Sequence, residues 1–244
     1  MIEIIYEDSE IIVCHKPPGI PVQTAKTGKQ DIVSMLQNYF ADQGESPEVF
    51  VIGRLDQPVE GIMVFARNSK AAAILSRQVQ ERTIEKEYLA LTEGRFQKET
   101  GTLENYLLRD GKSNTSQVVQ KGTKGAKSAK LFYEVKKVIT DSEKLSDILE
   151  DTCLESTVSL VSVHLDTGRH HQIRVQMAHA GHPLVGDKKY NKNCPSGYLP
   201  VGLCSIRTSF CHPATGKRME FSVHPKGRLF AELADELSDM QILP

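Results

Sequence analysis

Val49-Phe50-Val51-Ile52 runs into Gly53-Arg54-Leu55-Asp56-Gln57-Pro58-Val59-Glu60-Gly61, and Ile62-Met63-Val64-Phe65 follows. Two apolar runs of strand length around a short polar connection read as strand, loop, strand. Asp and Pro are both turn formers, so a tight turn is the plainest account of the connection. A loop held between two strands is also where a rigid scaffold presents reactive groups, which makes Asp56 a candidate functional carboxylate.

The same pattern recurs outward from this stretch. Strands are expected at Glu10–His15, Ile62–Arg67, Glu87–Glu93, Lys130–Ile139, Thr157–Leu165 and Gly202–Phe210, where β-branched or alternating residues dominate. Helices are fewer. Asp31–Asp42 places Ile32, Leu36 and Phe40 at spacing four beside Met35 and Tyr39, and Asn68 is a good N-cap for Ser69–Glu81, with Ala71, Ile74, Leu75 and Val79 on its packed side. His171–Ala180 aligns Ile173, Met177 and Ala180, and Gly227–Leu237 is amphipathic. Many strands with scattered helices predict an α+β fold with a mostly antiparallel mixed sheet. Gly111–Gly125 and Asp141–Glu155 read as inserted loops within one domain spanning residues 1–244.

At 244 residues, 39% hydrophobic and 25% charged, the chain can bury a sizeable core. Apolar runs such as Ile11–Cys14 are far short of the ~20 residues needed to cross a bilayer. The opening residues lack the basic and apolar regions of a signal peptide. Cysteines 14, 153, 194, 204 and 211 are odd in number and include no C-x-x-C pair, so a reducing, cytoplasmic setting is expected. Net charge is −1, yet Lys112–Lys130 holds five lysines and no acid, a local positive potential suited to phosphates.

Several chemistries lack their motifs. There is no G-x-G-x-x-G, no P-loop and no G-x-S-x-G elbow, and no cofactor is expected. His164, His170, His171, His179 and His182 lie close in sequence without the H-E-x-x-H spacing, so no metal is expected either. Gly122-Thr123-Lys124-Gly125 reads as a flexible basic loop. In Asp166–Arg174, Arg169, His171, Gln172 and Arg174 cluster donors around a helix start, an arrangement suited to anions.

Taken in order, these segments resemble the RluA-type RNA pseudouridine synthases over roughly residues 3–230. Ile5–Asp8 with His15–Val22 looks like the family's opening strand and K-P-x-G turn; Arg54-Leu55-Asp56 matches R-L-D; Lys86–Ala90 matches K-x-Y-x-A. Thr167–Arg174 matches T-G-R-x-H-Q-I-R, and Gly181–Asp187 and His212–Gly216 complete the set. The resemblance implies that Asp56 is the catalytic carboxylate, that Tyr88 lies against the target base, and that Arg174 pairs with the aspartate. It further implies Arg54, Arg169, His171, Gln172, Lys112, Lys121 and Lys124 as RNA-binding residues. The partner would be ribosomal or transfer RNA, with no membrane, no obligate protein partner and no N-terminal S4-like domain. The reaction would cut a uridine N1–C1′ bond, turn the flipped-out base and rejoin it through C5.

Two departures stand out. Gly53 replaces the family's usual His, and Gln57–Gly61 replaces x-x-T-S-G, which puts a negative charge, Glu60, beside the aspartate. They leave open a catalytically silent RNA-binding protein on the same scaffold. A small-nucleoside hydrolase, using an aspartate and histidines on free nucleosides, is the third reading.

Overall fold

The computed structural model describes residues 2–25, 28–140, 157–192, 194, 200–231, 233, 234 and 237, so the acidic stretch 141–155 lies outside the described residues. Contacts divide the chain into two compact units. The first comprises Met1–Lys86 and Ser205–Gly227, and the second is built mainly from Glu87–Cys204.

In the first unit, β1 (Glu3–Glu7), β2 (Ile11–Lys16), β4 (Glu60–Ala66) and β10 (Leu203–Cys211) lie in that order. β3 (Phe50–Val51) adds to β4 and β11 (Arg218–Ser222) to β10, both antiparallel. β2 is buried along its whole length, which explains its apolar run Ile11–Cys14. Helix α1 (Ile32–Asp42) buries Ile32, Leu36 and Phe40 against Ile12, Cys14, Met63 and Phe65. Asp31 caps it by accepting from the Ser34 N–H at 2.8 Å, and the Ser34 hydroxyl accepts in return from the Asp31 N–H, a reciprocal box. Helix α2 (Ser69–Glu81) starts at Asn68 as its sequence requires, with the Asn68 side chain accepting from the Ala71 N–H. Val79 departs from expectation: it is 42% exposed, while Gln78 is buried and bonds the Cys211 backbone through both ends of its amide. Helical spacing marked a packed face, but a tertiary hydrogen bond turned it toward the glutamine.

The second unit orders its strands β5 (Glu85–Glu93), β9 (Val158–Leu165), β8 (Lys127–Ile139), β6 (Thr100–Asp110) and β7 (Thr115–Val119), every pairing antiparallel. The mostly antiparallel α+β expectation therefore holds, but β6 was not foreseen. Its sequence Thr-Gly-Thr-Leu-Glu-Asn-Tyr-Leu-Leu-Arg-Asp carries Gly101 and Asn105, poor strand formers, and register with β8 makes it a strand. The expected loop Gly111–Gly125 likewise contains β7, so that stretch is two tight connections around a strand. Helix α3 (Gln172–His179) buries Gln172–Met177 almost completely, with Val175 set against Leu107 and Ala129. Short helix α4 (Arg228–Ala231) begins where the amphipathic tail was expected.

Candidate active site

Asp56 sits half-buried at the first position of a turn closed by the Val59 N–H donating to the Asp56 carbonyl at 3.0 Å, as the turn reading expects. What fixes that turn is Lys16, at the end of β2. Its side chain is fully buried, and its ammonium donates to the carbonyls of Pro17 (2.9 Å), Gln57 (3.1 Å) and Val59 (2.6 Å). Three donors meet three acceptors, so the cation is satisfied without leaving the interior. Gly19 and Gln57 add a reciprocal pair: the Gly19 N–H donates to the Gln57 carbonyl, and the Gln57 side chain donates to the Gly19 carbonyl, each at 2.8 Å. The Lys16–Gly19 turn and the Asp56 loop are thus one laced structure. Burial lowers the Lys16 amine to about 8, and the negative charges of Asp56 and Glu60 act against that fall.

Glu60, the departure beside the aspartate, is 3% exposed and faces inward. Its carboxylate accepts from the backbone N–H groups of Lys226 and Gly227 at 2.9 Å, with His15 Nε2 3.4 Å away. It clasps the end of the unit's last segment and is not a free charge in the loop. At Gly61, φ is +125° and a Cβ would collide with the backbone of Ser205, so this position requires glycine.

The residues expected on the second unit are equally well held. Tyr88 is 6% exposed on β5. Arg174 is 3% exposed on α3, and its Nε and Nη2 donate to the two carboxylate oxygens of Asp187 at 2.8 and 2.7 Å. This fork fixes the guanidinium plane, which also lies 5.3 Å from the Tyr190 ring. Gln172 is buried: its carbonyl oxygen accepts from the Thr167 hydroxyl and the Arg169 N–H, and its amide donates to the Lys130 carbonyl. That residue shapes the loop. Arg169, half-buried, donates from Nε to the Ser128 carbonyl at 2.9 Å.

His171 starts α3 in the left-handed region at φ 54°, stacks on His170 at 3.7 Å, and its Nδ1 lies 2.8 Å from the Tyr190 hydroxyl. Burial first, then the charge of Arg174, lowers its pKa to about 2, so the ring is neutral at any working pH. His170 in turn meets Asn114 and Ser116, which ties the β6–β7 hairpin to this loop. Lys112 lies exposed in the β6–β7 turn, and Lys121 and Lys124 lie exposed between β7 and β8.

Two residues with structural command of the site had been quoted only as parts of motifs. The signal for Lys16 was present, because a charged residue closing a strand that opens on the apolar run Ile11–Cys14 needs a set of buried acceptors. Asp187 carried no comparable sign, since its partner is thirteen positions away on another element.

Comparison with known proteins agrees with these motifs. Residues 10–179 match the model of a family described as RNA pseudouridylate synthase. A tRNA pseudouridine synthase C of Haemophilus ducreyi is 34% identical over 194 residues, covering 78% of this chain and 74% of that protein. A ribosomal large subunit pseudouridine synthase D of Haemophilus influenzae is 30% identical, covering 97% of this chain and 71% of that protein. Of eight curated relatives that it matches, the chain spans between 51% and 74% of their length. Among solved structures, human RNA pseudouridylate synthase domain containing 1 superposes with a TM-score of 0.73 at 22% identity, covering 92% of this chain and 84% of that one, a likeness of fold. With its motifs in order and more than half its length matched, the chain belongs to the RNA pseudouridylate synthase family.

Proposed function

We propose that this chain isomerises a uridine of ribosomal or transfer RNA to pseudouridine, with Asp56 as the catalytic carboxylate. The observation that supports this best is the lacing of the Asp56 turn: three carbonyls around it are held by one buried ammonium, so the carboxylate is presented from a rigid support. Rigid placement matters because the N1–C1′ bond must break and the C5–C1′ bond form on a base that turns inside the pocket, with the C5 proton lost and N1 protonated. Asp56 acts at the sugar, either as nucleophile or as base at C2′.

Tyr88 stacks on the flipped base and keeps water from it. Arg174, its plane set by Asp187, offers a fixed cation to the reaction, while Arg54 and Arg169 contact the RNA backbone. His171 and Gln172 act through the loop they shape. Lys112, Lys121 and Lys124 neutralise phosphates further out. With the Glu60 carboxylate engaged by backbone N–H groups, that departure gives the silent-scaffold reading less support than its charge suggested.

The test is to incubate the purified protein with unmodified ribosomal and transfer RNA, digest the RNA and separate its nucleosides, with Asp56→Ala as control. Pseudouridine is expected from the wild type alone. Substantial product from Asp56→Ala would overturn the assignment of the carboxylate. No product from either RNA, with binding retained, would favour the catalytically silent protein.

A further inference from the structure

Gly53 leaves a slot in the first unit that the reaction chemistry above does not use. The slot is walled by apolar side chains, among them Ile52, Met63 and Val79, and lined also by Gly53, Arg54 and Lys86. None of its lining residues is acidic. A Cβ at position 53 would lie 3.0 Å from the Lys86 ammonium, so the glycine is what leaves room beside that cation. Among the described residues, the side chains of Lys86 and Arg54 make no hydrogen bond or ion pair. Burial alone lowers the Lys86 amine, with no acid nearby to oppose it.

A desolvated Lys86 ammonium without a side-chain partner is costly to maintain in a free protein, and an anion entering the slot beside it and the exposed Arg54 relieves that cost. The position along the chain also favours substrate. Lys86 and Tyr88 leave strand β5 on the same face, two residues or about 6.6 Å apart. Gly53 is three residues from Asp56. An RNA chain whose uridine reaches Asp56 presents a phosphate for every nucleotide. We propose that the slot opened by Gly53 is a phosphate site, where Lys86 together with Arg54 neutralises one backbone phosphate near the target nucleotide. This rests on RNA being the substrate, and it makes Gly53 and Lys86 determinants of how the RNA is seated. The lost histidine becomes a change of recognition, with the chemistry left to Asp56.

The experiment follows the salt dependence of binding and turnover for one unmodified RNA transcript, using the wild type, Lys86→Met, Lys86→Arg and Gly53→Leu. Each phosphate contact contributes roughly 0.7 to 0.9 to the slope of log affinity against log salt. Lys86→Met is expected to lose about one such increment, raising KM at fixed salt while kcat is retained, and Lys86→Arg is expected to restore the slope. Gly53→Leu, which fills the slot and keeps the lysine, is expected to weaken binding and lower the slope in the same way. An unchanged slope in folded Lys86→Met or in Gly53→Leu overturns the phosphate site. The slope is read from binding alone as well as from product, so absence of pseudouridine would sink the isomerase reading and still leave this site decided by its own measurement.

Discussion

The Asp56 loop and the Arg174 helix start are held by opposite means. Around Asp56, one buried ammonium gathers three main-chain carbonyls, so backbone geometry is fixed by a side chain. Around Arg174, two side chains hold each other: a guanidinium with one arm of bonds to Asp187, both almost fully buried. The first arrangement positions a turn with a single charge, since its three neutral carbonyl acceptors take up all three N–H donors of the ammonium. The second depends on both charges, because the loss of either removes a two-bond, charge-assisted fork from the interior. The contrast suits the proposed roles: a carboxylate presented from a stiff turn, and a cation kept charged whatever the pH.

Removing one partner of each arrangement tests the contrast most directly. Asp187→Ala removes the two-bond fork on the buried Arg174 guanidinium and is expected to cost about 3–5 kcal/mol in a urea melt. A cost near 1 kcal/mol would show that the fork is peripheral. Lys16→Met removes three charge-assisted bonds but also removes a desolvated charge, so a smaller net loss of about 2–3 kcal/mol is expected. Turnover should fall further than stability in Lys16→Met, because the turn bearing Asp56 loses its support. A variant as stable as the wild type with full activity would break the account of that loop.

The two regions also differ in their response to pH, with opposite windows. His171 has a folded pKa near 2, below its ordinary 6.5, so the unfolded chain binds the proton that the folded one refuses. Stability is therefore present above pH 6.5 and falls as the pH drops below it, by up to about 1.4 kcal/mol per pH unit. His171→Asn, which accepts the left-handed backbone, should flatten that acid slope. Lys16, at about 8 against an ordinary 10.5, is likewise less protonated when folded than when unfolded, but on the alkaline side. Its contribution makes stability rise as the pH climbs from about 8 to 10.5, and Lys16→Met should lack that rise. Identical pH curves for either variant and the wild type would remove the corresponding claim.

The smallest effect concerns Glu60. Glu60→Gln keeps one acceptor for the Lys226 and Gly227 amides and loses the charge, which predicts a loss of about 1 kcal/mol and near-normal turnover. A gain in RNA affinity with unchanged stability would instead restore the idea that its charge faces the substrate.

Much was legible in the chain because local signals and tertiary needs agreed. Asn68 before Ser69–Glu81 and the spacing of Ile32, Leu36 and Phe40 gave two helices to within a residue. The apolar runs at β2, β4 and β9 gave strands for the same reason: each is buried on both faces and leaves little room for another pattern. Where signals were weak, neighbours decided. β6, with Gly101 and Asn105, becomes a strand through its long register with β8, and β7 is set by pairing with β6. At Gln78, a bond to the Cys211 backbone outweighed the apolar preference of Val79.

The division is similar at the site. Sequence by itself determined which chemistry-bearing groups exist and in what order, since Asp56, Tyr88 and Arg174 each stand in a motif recognisable along the chain. It also determined that position 53 has no side chain. Only the tertiary structure decided what each group meets: the carbonyls around Lys16, the Asp187 fork on Arg174, the backbone clasp of Glu60 and the room left beside the Lys86 ammonium. The reason is physical. Hydrogen bonds and ion pairs between distant residues depend on distances of a few ångströms, and these are set by the packing of whole elements rather than by any local run of residues.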